Sequence, residues 1–257
     1  MRLQEIVERY LAVESFFPEI QAAPGIHPYP IVSVEDAELA AEKLRNDWNL
    51  GLDAIENLTQ LLEDQGIKVC QIDGYASFDA CVFLANDSPI IAVKSGLPGD
   101  RQRFNLAHEL GHLVLIVPEG TNEEKICQRF AGAFLIPAAT LKRELGSKRS
   151  SLNIRELQLL KKKYGISMQA LIYRACDLAI ITQSERDRLF KYFSTNHWRY
   201  QEPGDPYPEE HPTRMQLLVF RALSEDLISR SRAQELLGDS LNLELLGENG
   251  WLNHTGN

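Results

Sequence analysis

Apolar residues recur at helical spacing in Leu3, Ile6, Val7 and Tyr10, and again in Ala37, Ala40, Ala41 and Leu44, which predicts two early helices separated by the Pro-rich stretch Pro18 to Pro30. A third helix is expected over Ala54 to Leu62. The period then shortens. Ile67 to Ile72, Ala80 to Leu84 and Ile90 to Val93 are short β-branched and aromatic runs, punctuated by Asp73-Gly74 and Asn86-Asp87, and they read as a small antiparallel sheet. After Gly96-Leu97-Pro98-Gly99, helical periodicity resumes near Arg101 and persists, with breaks, almost to the end. The expected fold class is therefore α+β with a predominantly helical remainder.

Ile154 to Lys163 and Met168 to Asp177 form two helical segments, with Gly165 placed to close the first and Ser167 to cap the second. This corner, about 152–178, looks like a helix-turn-helix. Tyr200 to Pro212 is Pro-rich, acidic and aperiodic, which marks 196–212 as a linker between a main domain, 1–195, and a small helical module, 213–257. Apolar positions in Met215, Leu218, Val219 and Ala222, then Ile228, Ala233, Leu236 and Leu237, support that module.

Composition narrows the function. The chain has 257 residues, enough for one substantial core and an appendage, and 44% of them are hydrophobic. A formal net charge of -9 argues against nonspecific binding to phosphate over the whole surface. Between Lys142 and Lys163 basic residues do cluster beside the helix-turn-helix-like corner, but a solvated face or a dock for an acidic partner is the commoner reading, so direct DNA binding is not expected. Cys70, Cys81, Cys127 and Cys176 are widely spaced and read as free thiols of a reducing compartment. Residues 1–21 lack the basic end and apolar run of a signal peptide, and no stretch approaches 18 apolar residues, so the cytoplasm is the expected location and no membrane contact is expected.

The chemistry is concentrated in His108-Glu109-Leu110-Gly111-His112. On a helix, imidazoles four residues apart stack on one face, where both can reach one zinc ion. Glu109 is turned about 100° from His108 and can face the water that such an ion activates, serving as catalytic base. With six histidines in the chain, chance is a weak rival. Gly111 adds weight, because glycine inside a helix costs about 1 kcal/mol relative to alanine and implies close backbone packing. A catalytic zinc site needs a third protein ligand and an open position. The third histidine of the metzincin pattern is absent, so a carboxylate is expected: Glu124 first, with Gln128 one turn later as its hydrogen-bonding support, and Glu123 as the alternative. Thr121 and Glu124 could instead form a capping box.

The stretch from Asp100 through Phe104-Asn105-Leu106-Ala107 and the histidine motif to Leu113, followed by Glu124 and by Gln128-Arg129-Phe130-Ala131 to Pro137, resembles the ImmA/IrrE metallopeptidase family. The likeness runs from about Ile31 to Thr182, and its tail includes Lys163 to Ser167 and Tyr173-Arg174. Where the family usually has Ala-Asn, this chain has Cys127-Gln128. The resemblance implies a zincin-like domain, a glutamate as third ligand, and cleavage of a helix-turn-helix repressor or antitoxin encoded nearby, in phage, mobile-element or toxin-antitoxin settings. Many relatives carry an N-terminal DNA-binding domain, for which this chain leaves no room, so the partner is expected to be a separate polypeptide. Tyr173 and Arg174 are candidates to steady the oxyanion formed in peptide hydrolysis. Two rival readings stay open: a noncatalytic regulator that binds a repressor through a structural metal, and a DNA-binding protein using Ile154 to Asp177.

Overall fold

The computed structural model describes residues 3–18, 27–73 and 78–238. In chain order it contains α1 (Leu3–Glu14), β1 (Tyr29–Pro30), α2 (Asp36–Asp47), α3 (Leu58–Asp64), β2 (Lys68–Ile72), β3 (Ala80–Ala85), β4 (Ser88–Lys94), α4 (Gly99–Val114), β5 (Leu115–Ile116) and α5 (Glu123–Leu135). Then follow α6 (Ala138–Leu145), α7 (Ile154–Tyr164), α8 (Met168–Asp177), α9 (Gln183–Thr195), α10 (Arg214–Ser224) and α11 (Arg230–Leu237). The α+β class holds. The expected third helix starts late, at Leu58, because the Asn57 side chain accepts the Gln60 N–H and caps it there. Gly74 of the expected Asp73-Gly74 turn lies outside the described residues.

The sheet is mixed, not antiparallel as expected, with order β2-β4-β3. Asn86 and Asp87 both take positive φ, which closes β3 and β4 into a tight antiparallel hairpin with Ala85 opposite Ser88. The hairpin occupies one edge of β4, and β2 takes the other edge in parallel, Lys68 opposite Ile90. Alternation in sequence assigns faces and says nothing of strand direction. A second, two-stranded parallel sheet pairs β1 with β5.

The period of two sends neighbouring strand residues to different cores. Val69, Ile91 and Val93 join the main core with α2 through α9, whereas Cys70 and Ile90 face a second cluster. That cluster is built from α1, through Ile6, Val7, Tyr10 and Val13, and from α10 and α11, through Leu218, Val219, Leu236 and Leu237. Helix α1 thus packs with the C-terminal module, although the sequence places it with the main domain.

The stretch 196–212, expected as a linker, is packed through its acidic side chains. Glu202 accepts the N–H groups of Met168 and Gln169 at the start of α8, and pairs with buried Lys161 at 2.9 Å. Glu210 is buried, pairs with the fully buried Arg103 of α4, and accepts the Thr59 N–H of α3 at 2.8 Å. Carboxylates that satisfy orphan helix N–H groups and buried cations leave no hydrophobic period to read. Pro208 passes so close to α4 that a Cβ on Gly99 would meet its carbonyl oxygen at 1.8 Å, and the Gly99 N–H donates to the Tyr207 carbonyl.

Candidate metal centre

Helix α4 buries one stripe, Arg103, Leu106, Ala107, Leu110, Gly111 and Val114, and this fixes the direction of the other side chains. His108 and His112 emerge together, with their Nε2 atoms 3.2 Å apart and their rings edge to face. Helix α5 lies against α4. Its N-terminus is capped by Asn122, which accepts the Lys125 N–H. The Thr121 hydroxyl donates to the Pro118 carbonyl, so no Thr121 capping box holds Glu124 back.

Glu124 completes the cluster. Its Oε2 is 3.2 Å from His108 Nε2, and its Oε1 is 3.4 Å from His112 Nε2. Donors at 2.0 to 2.1 Å from a tetrahedral zinc lie ~3.3 Å from one another, so the residues present fit such an ion. Two unprotonated imidazole nitrogens facing each other at this distance repel unless a cation or proton sits between them. The donor set of two histidines and a carboxylate leaves one tetrahedral position for substrate or solvent.

Glu109 is half-buried on the same helix, and the Val82 N–H of β3 faces its carboxylate. Burial pushes the Glu109 carboxyl above its ordinary range, against the opposing field of His112. Burial also lowers His108, and the neighbouring His112 adds to this while Glu124 opposes it. Both directions favour neutral groups in the metal-free pocket.

Glu123, the alternative ligand, lies on the other side of the His112 ring. Its Oε1 is 2.9 Å from His112 Nδ1, on the far side of the ring from Glu124. Cys127 Sγ gathers with these two groups, and burial raises its thiol to about 12. Gln128, expected to support the site, is exposed.

Tyr173 and Arg174 contact other groups. Arg174 is buried and spends its guanidinium on the Ile136 carbonyl and on both oxygens of Glu38. Tyr173 packs at a tilt against Phe190 of α9, with Arg186 over its ring. Arg174 thus has its guanidinium engaged within the core, while Tyr173 stays exposed. Helix α8 buries Met168, Leu171, Ile172 and Ala175 in the main core.

Residues 62–175 match the model of the Peptidase_M78 family, described as the IrrE N-terminal-like domain. A search of the curated proteins finds no match. Among solved structures, the chain is similar to a Mycobacterium tuberculosis transcriptional regulator at 17% identity and a TM-score of 0.38, over 65% of this chain and 51% of that one. The chain therefore spans about half the length of that structure. Among the described residues, no helix is long and apolar enough to cross a membrane.

Proposed function

We propose that the chain, whose residues 62–175 match the IrrE N-terminal-like domain, is a zinc-dependent endopeptidase of the ImmA/IrrE kind with a zincin-like catalytic domain. The observation that carries this reading is the convergence of His108, His112 and Glu124, with donor atoms 3.2 to 3.4 Å apart, beside the half-buried Glu109. His108, His112 and Glu124 would hold a zinc ion, which would supply Lewis acidity for a scissile carbonyl and lower the pKa of a water molecule to about 7.

Glu109 handles the proton. It takes one from the attacking water and returns it to the amine nitrogen that leaves, which requires a carboxyl poised closer to neutrality than an exposed glutamate. Its burial supplies that shift. The substrate is a protein, and we assign it to a helix-turn-helix repressor or antitoxin encoded nearby, on the strength of the sequence resemblance.

The test is co-expression of the chain with the product of its neighbouring gene, followed by mass spectrometry of fragments. The wild type is expected to cut the partner, and Glu109→Gln to keep zinc and fold while cutting nothing. Absence of fragments from both forms would refute the peptidase reading and leave a noncatalytic regulator with a structural metal.

A further inference from the structure

We propose that Glu123 is the positioning residue of this metal centre, holding the His112 ring by its Nδ1 so that Nε2 is presented to the ion. The inference rests on the zinc reading above and deepens it.

A carboxylate only accepts hydrogen bonds, so the 2.9 Å contact to Glu123 places the proton of neutral His112 on Nδ1. The lone pair is then on Nε2, the nitrogen that lies 3.2 Å from His108 and 3.4 Å from Glu124. Consecutive residues in the first turn of α5 thus grip one imidazole from two sides, because they leave the helix about 100° apart. Asn122 fixes where that turn begins. An anionic acceptor on the far nitrogen also makes the imidazole a stronger ligand.

The test uses the full chain as wild type, Glu123→Ala and Glu123→Gln, with zinc affinity measured by competition against a chromophoric chelator and the metal-free thermal midpoint recorded alongside. The alanine variant is expected to bind zinc about 10- to 100-fold more weakly. Its metal-free midpoint should stay close to wild type, since the Glu123 side chain is half exposed. The glutamine variant should recover most of the loss, because its amide oxygen still accepts the Nδ1 proton. Wild-type affinity in Glu123→Ala would overturn the assignment. So would equal weakness in both variants, which would make charge and not the hydrogen bond the cause. A wild-type chain that takes up no zinc overturns the metal-centre reading itself, a result distinct from either of these.

Discussion

Replacing Gly111 with alanine tests whether the metal centre depends on the close approach of α4 and α5. An alanine Cβ at this position would lie 3.2 Å from Phe130 Cδ1, and 3.3 Å from both Cβ and Sγ of Cys127. Comfortable carbon contacts begin near ~3.5 Å, so the helices must part by a few tenths of an ångström. Neither neighbour yields easily: both are fully buried, and Phe130 is stacked on Phe134. Alanine gains about 1 kcal/mol over glycine in helix propensity, while overpacking a core costs about 1 to 3 kcal/mol. The net effect is a destabilisation between about 0 and 2 kcal/mol, or a fall in Tm of up to roughly 8 °C at 2 to 4 °C per kcal/mol for a chain of this size. Zinc binding should suffer more. Glu124 rides on α5 and the histidines on α4, and a donor triangle that already matches the tetrahedral spacing tolerates only ~0.2 Å of error. Thermal melts with and without zinc, together with chelator competition, separate the two effects. Cys127→Ala in the same chain removes one of the three contacts and should restore part of the affinity. A Gly111→Ala protein with wild-type zinc affinity and an unchanged or higher Tm would refute the argument.

Three other outcomes follow from buried charges. Arg174→Met should cost about 3 kcal/mol or somewhat more in chemical denaturation, near the low end for a broken buried pair because Arg129 still engages Glu38, while turnover per folded molecule is unchanged. A loss of turnover at wild-type stability would contradict its packing role. Glu63 accepts the Thr213 and Arg214 N–H groups at the start of α10, and burial raises it to about 7 from an ordinary value near 4.5. The folded state therefore holds this proton more tightly, so its contribution to stability is complete below pH 4.5 and is lost as pH rises through 7. Glu63→Gln should gain stability relative to wild type over that interval, and a difference that does not change with pH would sink the assignment. Glu210→Gln leaves the Arg103 guanidinium buried without its counter-charge and should destabilise by about 3 to 5 kcal/mol, as read by denaturant midpoints.

Much of helix α4 was legible because its evidence is periodic. Histidines four apart demand a helix, and α4 supplies one with both rings on the same face. Gly165 in the left-handed region and Ser167 accepting the Ala170 N–H likewise match the corner expected between α7 and α8. What escaped was pairwise. Nothing in a strand pattern says that β2 runs parallel to β4, and two-residue strands such as β1 and β5 carry no period at all. Sequence offset suggested Gln128 as support for the site and Glu123 only as an alternative ligand, because one turn of spacing was visible and the side of the imidazole was not. Arg174 follows an aromatic residue in a family-like tail, but its partner Glu38 lies 136 residues away and could not be read from the motif.

The same distinction explains why the aperiodic stretch 196–212 bears on the metal centre. Arg103 stands five residues before His108 on one rigid helix, and its guanidinium is held by Glu210, by the Ile55 carbonyl and by the Gly165 carbonyl, with Tyr207 over its face. A helix presents ligands well only if its roll about its own axis is fixed, and a rotation of about 100° exchanges one residue's direction for the next. At the C-terminal half of α4 that roll is set by contact with α5 through Gly111. At the N-terminal half it is set by a buried arginine whose counter-charge arrives from more than 100 residues downstream. Chemistry that looks local to five residues thus depends on a segment whose prolines and acids suggest a tether, and whose buried carboxylate makes it part of the frame.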